Sequence, residues 1–343
     1  MTRPRISLAR GGRGSERALR ELTELCRAGL DSVTFRRELR ARLAQLLPFD
    51  GYCVNSVDPE SLLITSSIGD GLSASAAHRL FELEAAGTDV NPLGSLARGP
   101  VHVATIWQST LGKVVLSQRM REVFLPLGWG DELRAALVVD GHCWGYLQLF
   151  RAVGTPFSAQ DVSLIERVSA MLGAALRAAC VVGQHAVAQR AQAVLLLGSQ
   201  GELVAESETT RSWLQGFESD VGRPLPHPIY AVGARARVGA SASARYRGPG
   251  GGWLAFTGTA LGADVAVLLG SVAGRELSRL LFLAHGLTAR EREVGSLLLD
   301  GYANAAVAAK LGISLHTAKD HVKAIFQKTA VGGRAELSAR FAV

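Results

Sequence analysis

Five polar side chains recur at intervals of three and four residues within LHTAKDHVKAIFQKT, residues 315–329: His316, Lys319, Asp320, Lys323 and Gln327. At 3.6 residues per turn they share one side of a helix. The opposite side is less polar and holds Ala318, Val322, Ile325, Phe326 and Thr329. Ammonium, carboxylate and amide groups on an exposed face can bind the hydrogen-bonding edges of nucleic-acid bases. The pattern predicts a helix that packs on a small core and offers its polar face to a nucleic acid.

The residues in front of this segment can position it. Ser314 can cap the helix by accepting a backbone N–H of its first turn, and Gly312 suits the left-handed residue that ends a preceding helix. Residues 305–311 are then predicted as a short helix and residues 312–314 as a tight turn. The small residues Ala308 and Gly312 let two helices approach closely at a steep angle, as a helix-turn-helix requires.

Two further helices are predicted around this pair. Thr288 and Glu291 have the spacing of a capping box that opens a helix, and Gly301 can end it. The last helix is predicted from Arg334 to Phe341. Residues 286–343 are therefore predicted to form an all-α unit of four helices.

The C-terminal segment resembles the DNA-binding domain of LuxR-type (GerE-type) bacterial transcription regulators. The matching positions include Leu287, Thr288, Arg290, Glu291, Glu293, Val294, Gly301, Val307, Ala308, Leu311, Gly312, Ser314, Thr317, Lys319, His321, Ile325, Lys328, Val331, Arg334 and Glu336. The resemblance implies that Lys319, Asp320 and Lys323 face the major groove, and that Thr317 and Lys328 lie near phosphates. The DNA-binding residues that it implies are Ser314, Thr317, Lys319, Asp320, Lys323 and Lys328.

Three residues depart from the family pattern. Ala303 stands where a Ser or Thr cap is usual, Ala318 where Val is usual, and Ala330 where Gly is usual. These departures bear on the cap of the second helix and on core packing, and they leave the domain assignment intact.

Asp320 needs an explanation, because a carboxylate on a DNA-facing helix opposes the field of the phosphates. It can accept a hydrogen bond from N4 of cytosine, or it can lower affinity for every sequence so that operators stand out. A third interpretation is a surface ion pair with Lys323. Its place in the family pattern favours readout of a base.

Length and composition indicate an ordinary globular protein of two or three domains. The chain has 343 residues, of which 48% are hydrophobic and 20% charged, and its net charge is +7. Residues 1–42 hold eleven arginines against five acidic residues, so most of the excess lies there. Residues 1–15 are predicted to be a disordered basic leader, with an arm that contacts DNA phosphates as the alternative. Because no segment resembles a secretion signal or a membrane span, we expect a cytoplasmic protein without a membrane partner.

Residues 16–180 have the pattern of an α+β domain. Helices are predicted at 16–47 in two pieces, at 74–85 and at 112–125, and strands at 52–57, 62–67 and 101–107. Asp140-Gly141, between the apolar runs 133–139 and 143–151, is typical of a β-hairpin turn. Ser158 and Asp161 then form a capping box for a long helix. This hairpin, followed by F-S-x-x-D and a long helix, is similar to a GAF domain, so a GAF-like sensor is expected.

A second small α+β domain is predicted after a linker. Residues 181–192 are predicted as a helical linker, and residues 193–272 contain two strands, helical segments and three more strands with glycine loops. That order is similar to a PAS-like domain. Residues 273–285 are predicted as a connector helix into the DNA-binding domain. The predicted fold is thus multidomain, with GAF-like, PAS-like and helix-turn-helix units.

Cysteines and catalytic motifs favour a non-enzymatic protein. Cys26, Cys53, Cys143 and Cys180 lie far apart without metal-ligand spacing, so reduced thiols, no metal and no cofactor are predicted. A thiol enzyme built on Cys53 or Cys143 is a remote alternative, because their apolar flanks do not activate a thiol. Gly112-Lys113 lacks the residues of a phosphate-binding loop. No receiver-type acidic cluster or homoserine-lactone receptor pattern is present either.

These patterns predict a one-component transcription regulator that binds double-stranded DNA as a homodimer. It would sense a small molecule or a partner, and an activator would also contact RNA polymerase. An apolar ligand pocket is predicted among the strand-associated residues Cys53, Trp107, Trp129 and Trp144, with plain core packing as the alternative. The alternative function is a protein-interaction or dimerising adaptor with a degenerate helix-turn-helix.

Overall fold

The structure is a computed structural model. It describes residues 12–70, 72–182, 191–214, 217, 225–239, 241–248 and 251–341. Within these ranges the chain forms two antiparallel sheets, each with its own helices, followed by a helical C-terminal unit. None of the described helices is both long and apolar enough to cross a membrane.

The first sheet has five strands in the order β2-β1-β5-β4-β3. Its strands are β1 (Gly51–Val57), β2 (Ile64–Gly69), β3 (Val103–Thr105), β4 (Trp129–Val139) and β5 (His142–Ala152). Its helices are α1 (Gly12–Arg27), α2 (Ser32–Ala44), α3 (Ala74–Ala86), α4 (Leu93–Arg98), α5 (Ile106–Ser109) and α6 (Ala159–Ala179). This mixture of helices and antiparallel strands confirms the predicted α+β architecture.

Local turn and cap chemistry forms the central hairpin and the long helix as predicted. Asp140 and Gly141 have φ angles of 50° and 75°, which is the left-handed backbone that a two-residue hairpin turn needs. Ser158 accepts from the backbone N–H of Asp161, and the Asp161 carboxylate accepts from the N–H of Ser158. Helix α6 then packs one face of the sheet, and Gly173 lets it approach the backbone of Leu137.

The two faces of the first sheet carry different residues. One face packs against α1, α2 and α6 through an apolar core that includes Leu39, Leu147 and Leu172. One extra residue on β5 shifts the register between the Ala136–Tyr146 and Val138–Cys143 pairs. A bulge of this kind reverses which side chains face which side of a sheet.

The second sheet repeats the strand order of the first, counted along the chain, as β7-β6-β10-β9-β8. Its strands are β6 (Ala193–Leu197), β7 (Leu203–Glu206), β8 (Ser241–Arg247), β9 (Trp253–Leu261) and β10 (Asp264–Ser271). Helix α7 (Glu208–Leu214) follows β7, and α8 (His227–Gly239) packs on β8 and β9. Its core is apolar, with Trp213, Ile229 and Phe256 almost completely buried.

Five helices form the described part of the C-terminal unit. They are α9 (Gly274–Ala284), α10 (Ala289–Leu299), α11 (Asn304–Leu311), α12 (Leu315–Thr329) and α13 (Arg334–Phe341). Helix α9, predicted only as a connector, contributes Leu280, Leu281 and Phe282 to the same core as α10, α12 and α13. Phe282 stacks on Phe341 with ring centroids 5.2 Å apart. The connector is therefore part of the unit that it leads into.

Three sequence-based boundaries differ from the structure. Helix α1 begins at Gly12, inside the predicted leader of residues 1–15. The strand predicted at 101–107 is shortened to β3, because Thr105 caps α5 by accepting from the N–H of Gln108 at 3.1 Å. The helix predicted at 112–125 is instead short turns at Val114–Leu116, Met120–Phe124 and Leu125–Leu127.

The interrupted segment has a tertiary cause. The carboxylate of Asp89 accepts from the backbone N–H groups of Gln118 and Arg119, at 2.9 and 3.0 Å, and from the Ser117 hydroxyl. A distant side chain thus starts the helical turn where local sequence favours a longer helix. The predicted linker at 181–192 lies mostly outside the described residues.

Candidate functional site

Helices α11 and α12 meet at the tight turn predicted from the sequence. Gly312, which ends α11, has a φ angle of 64°. The hydroxyl of Ser314 accepts from the backbone N–H of Thr317 at 3.0 Å and lies 2.9 Å from the Thr317 hydroxyl. Because both caps are satisfied locally, α12 has a defined start and a defined orientation.

The two faces of α12 are as predicted. Ala318, Val322, Ile325 and Thr329 are buried, and Phe326 is half-buried. The exposed face, called here the recognition face, consists of His316, Lys319, Asp320, Lys323 and Gln327. Asp320 lies 3.6 Å from the imidazole of His316, so the ion pair suggested with Lys323 is replaced by this contact. Among the described side chains, neither Lys319 nor Lys323 has an ion-pair partner.

Lys328 is held differently from the other two lysines. Its ammonium donates to both carboxylate oxygens of Glu291, at 2.7 and 3.0 Å, and to the carbonyl of Gly286. Burial alone would raise the pKa of Glu291, but the Lys328 ammonium and the capping N–H of Thr288 hold it below its ordinary value. Lys328 therefore joins the end of α12 to the start of α10, and any phosphate must compete with Glu291 for it.

The departures from the family pattern have visible consequences. Ala303 begins α11 without a side-chain hydrogen bond to the first turn. Ala330 ends α12 with φ 51° and ψ 47°, a left-handed conformation that a residue with a Cβ adopts at a cost. Both positions therefore stabilise the helices less than Ser and Gly would.

Two helices joined by a tight turn, with two exposed lysines on the second, have the arrangement of a helix-turn-helix. Residues 285–341 match the luxR family of bacterial regulatory proteins. The C-terminal segment is thus a LuxR-type domain, as the sequence predicted.

Curated relatives share this segment. A putative HTH-type transcriptional regulator of Aeromonas salmonicida is 40% identical over 79 residues, 23% of this chain and 35% of the relative. The monoamine regulon transcriptional regulator of Klebsiella aerogenes is 46% identical over 54 residues, 16% of this chain and 24% of the relative. The chain thus spans about a third or less of the length of these relatives.

Several solved structures align with the chain, and one of them covers about half of it. It is the VqsR LBD domain from Pseudomonas aeruginosa, at 20% identity and a TM-score of 0.35. The alignment covers 49% of this chain and 97% of that domain.

A cavity of about 340 Å³ lies on the face of the first sheet opposite α6. Its walls come from β1, β2, β4 and β5, from α3, and from His227 at the start of α8. Apolar and aromatic side chains form most of the lining, including Leu80, Phe81, Phe124, Trp129 and Phe150. The second sheet domain therefore contributes to the enclosure of a cavity built mainly on the first.

Only some of the residues predicted for the pocket line this cavity. Cys53 and Trp129 line the cavity, whereas Trp107 and Trp144 do not. Trp107 lies on α5 and is 40% exposed, beside Gly112. Trp144 lies in the bulge on β5, between Cys143 and Tyr146, and packs in the core under α6 instead of on the face that carries Gln148.

A row of hydrogen-bonded polar side chains crosses the cavity face. This polar strip consists of Asn55 on β1, Gln148 on β5, and Glu132 and Arg134 on β4. Asn55 donates to Gln148 at 2.9 Å, Gln148 donates to Glu132 at 3.0 Å, and Arg134 donates to Glu132 at 2.8 Å. Sequence reasoning missed the strip, although polar residues at alternate positions of apolar strands are a signal for it.

Buried ion pairs hold the strip in place. Glu132 is fully buried and accepts from Arg119 at 2.7 Å, and Arg119 also pairs with Asp89 at 3.0 Å. Burial alone would raise the pKa of Glu132, but the guanidinium groups of Arg119 and Arg134 keep it below its ordinary value. Arg134 also donates to Glu84 on α3. The strip is therefore charged, paired and rigidly placed.

The cysteines nominated as nucleophiles differ in position. Cys143 is buried, and burial raises its pKa to about 12, which leaves a protonated, unreactive thiol at neutral pH. Cys53 lines the cavity, and its thiol lies 3.5 Å from the side-chain oxygen of Asn55. No cluster of three or more potential metal ligands occurs in the described part of the chain.

An ion-pair junction connects the three units. Arg245 on β8 makes two side-chain hydrogen bonds to the buried carboxylate of Asp58, at 2.8 and 3.0 Å, and also pairs with Glu60. Arg279 on α9 donates to the same Glu60 at 2.8 Å. Asp58 and Glu60 lie in the turn between β1 and β2, two strands that line the cavity. The cavity and the C-terminal core are thus joined by a short series of contacts.

Proposed function

We propose that the chain is a one-component transcription regulator, acting in the cytoplasm, that binds operator DNA through α12. The observation that carries this proposal is the recognition face, where Lys319 and Lys323 are exposed on a capped helix and have no ion-pair partner among the described side chains. An unpaired ammonium there can donate to guanine O6 and N7 or to a phosphate. Ser314, Thr317 and Asp320 complete the proposed contact surface, with Lys328 at its edge.

The proposed complex contains a homodimer on two half-sites. One short recognition helix reads too few base pairs for useful specificity, and a second copy doubles the sequence that is read. Helices α6 and α13 are the proposed subunit contacts. Sedimentation equilibrium of the DNA complex should give two protomers per operator, and one protomer would contradict the dimer.

A small molecule is the proposed signal, sensed by a GAF-like first domain together with a PAS-like second domain. The cavity on the first sheet supports this role, since its size and mixed apolar and polar lining are those of ligand sites. The junction from Asp58 and Glu60 to Arg279 supports coupling, because α9 shares its core with the helix-turn-helix. An activating role would add RNA polymerase as a partner.

Salt-dependent binding to DNA from the gene's own upstream region tests the proposal. Affinity measured by fluorescence anisotropy should fall steeply as salt rises, because each phosphate contact releases counterions. A Lys319→Ala, Lys323→Ala double variant should bind more weakly, and its salt slope should decrease by about one per phosphate-contacting lysine.

Lys113→Ala is the matched control, since Lys113 is an exposed lysine in the first domain. It should leave affinity and slope unchanged. If the double variant binds as tightly as the native chain, the recognition face is not the contact surface. Dimerisation without DNA binding at any salt would favour the adaptor function instead.

A further inference from the structure

The cavity on the first sheet has one hydrogen-bonding wall and one aromatic wall. We propose that it takes an uncharged molecule with a flat apolar body of about two rings and a hydrogen-bond acceptor at one end. This inference rests on the sensory role proposed above and specifies the chemistry of its ligand.

The hydrogen-bonding wall offers donors that are not fully used. Asn55 and Gln148 each use one of their two amide N–H groups within the polar strip. Arg134, only 1% exposed, donates through Nε and one terminal nitrogen, and its other terminal nitrogen has no acceptor among the described residues. All three side chains line the cavity. A ligand that presents a carbonyl oxygen or ring nitrogen would supply the missing acceptor.

The charge around these donors disfavours an anion. The guanidinium of Arg134 is already paired with Glu132 and with Glu84, and Glu84 itself lines the cavity. A carboxylate placed here would meet two existing carboxylates in a buried setting, where like charges repel strongly. A neutral acceptor can use the same N–H groups without that repulsion.

The aromatic wall suits a flat body. Trp129 and Phe150 are stacked with centroids 4.4 Å apart and an angle of 18° between their planes, and Phe124 lies 4.8 Å from Phe150. Flat rings pack against such a surface with large contact area. A dry cavity of about 150 Å³ holds benzene, so a cavity of 340 Å³ has room for about two rings.

Arg37 is the feature that could favour a different ligand. It is exposed and lines the outer part of the cavity, where its charge could hold an anionic head group at the rim. Such a ligand would offer no acceptor to the unused N–H groups of Arg134 and Gln148, whereas a neutral acceptor at the inner end would use them. The two orientations predict opposite preferences between a ketone and a carboxylate of equal size.

Three naphthalene derivatives of similar size separate these cases on the full chain. 2-Acetylnaphthalene is neutral with an acceptor, 2-naphthoate is anionic, and 2-ethylnaphthalene has no acceptor. Calorimetric titration should give the tightest Kd for 2-acetylnaphthalene. We expect Kd to be at least about tenfold weaker for the carboxylate and about tenfold weaker for the hydrocarbon.

Variants locate the binding in the cavity. Gln148→Leu should reduce the preference for the ketone over the hydrocarbon, because it removes one donor. Leu80→Trp should fill the cavity and abolish binding, and its unfolding transition shows whether the variant is folded. Trp107→Leu is the matched control, since this tryptophan lies outside the cavity, and it should bind all three compounds as the native chain does.

Each contrary outcome has a distinct meaning. Equal or tighter binding of 2-naphthoate overturns the proposal, and its loss in Arg37→Gln would assign an anion at the rim. If 2-ethylnaphthalene binds as tightly as 2-acetylnaphthalene, the ligand does not need an acceptor, and that part of the proposal is wrong. If none of the three probes binds, the proposed ligand class is wrong. DNA affinity measured on the same samples is independent, so loss of DNA binding with retained ketone binding contradicts only the regulatory function.

Discussion

The polar strip and the recognition face contain the same kinds of charged side chain in opposite settings. In the strip, Glu132 and Arg134 are buried, and each is paired with more than one opposite charge. On α12, Lys319 and Lys323 are exposed and have no ion-pair partner among the described residues. Charged groups that are buried and paired hold a site in one geometry. Charged groups that are exposed and unpaired can form ion pairs or hydrogen bonds with a binding partner. Pairing and burial thus fix the side chains of the strip before any ligand binds, whereas the lysines of α12 are not fixed by an ion pair.

The largest effect is expected from removing the shared carboxylate of the strip. Glu132→Leu would leave Arg119 and Arg134 buried without it, and the free energy of unfolding should fall by about 3–5 kcal/mol. Urea unfolding followed by tryptophan fluorescence measures this loss. Glu293→Gln, which breaks the exposed pair with Arg290, is the control and should cost less than about 1 kcal/mol. A similar loss in both variants would erase the distinction.

Acid should weaken the strip for the same reason. Since the folded pKa of Glu132 is lower than its unfolded value, its stabilisation is present above the unfolded pKa of about 4.3 and is lost as pH falls through the folded pKa. The urea concentration at the midpoint of unfolding should therefore fall when the pH is lowered below about 4. Asp131, whose pKa is raised by burial, acts with the opposite sign. Glu132→Leu removes the titration of Glu132 and also the charge that helps to raise the pKa of Asp131, so a flatter acid profile in that variant would assign the acid sensitivity to Glu132 together with its effect on Asp131.

The two regions also differ in how far the sequence predicts them. The recognition face is predicted to the residue, because Gly312, Ser314 and the helical period act over a few positions. The strip depends on register across three strands, and the bulge on β5 moves Trp144 to the opposite face. The part of the cavity wall that His227 of α8 supplies depends on how the second domain packs against the first. Local sequence patterns are therefore sufficient to predict the recognition face, but they are not sufficient to predict the polar strip.

The lysines of the recognition face should affect binding and leave stability unchanged. Lys319→Ala and Lys323→Ala should each weaken operator affinity by about 1–3 kcal/mol if the lysine contacts a base. Binding to a set of single-base operator variants gives the contact type. Relaxed preference at one position indicates a base, and equal weakening on every sequence indicates a phosphate. A loss of thermal stability in either variant would show that the side chain is structural after all.

Replacing Asp320 tests whether the exposed carboxylate of the recognition face also contacts DNA. Its His316 contact is exposed on both sides, so Asp320→Ala should change stability by less than about 1 kcal/mol. We expect relaxed selection at one base pair of each half-site, because an ionised carboxylate accepts from cytosine N4. Randomised-site selection measures this. Tighter binding to every sequence would indicate general repulsion of phosphates, and an unchanged profile would reduce Asp320 to a surface contact.

The smallest effects are expected at the helix caps of the C-terminal domain, which stabilise it independently of its exposed charges. Ala330 ends α12 in a left-handed conformation, which Gly adopts without steric cost. Ala330→Gly should therefore raise the free energy of unfolding by up to about 1 kcal/mol, after the greater flexibility of Gly in the unfolded chain is subtracted. Ala303→Ser, which can add the missing cap of α11, should stabilise by a similar amount of about 1 kcal/mol. Both variants should keep the native salt slope of DNA binding, since neither touches the recognition face. Stabilisation with an unchanged slope would separate caps from charges, whereas a changed slope would show that the end of α12 also positions the lysines on DNA.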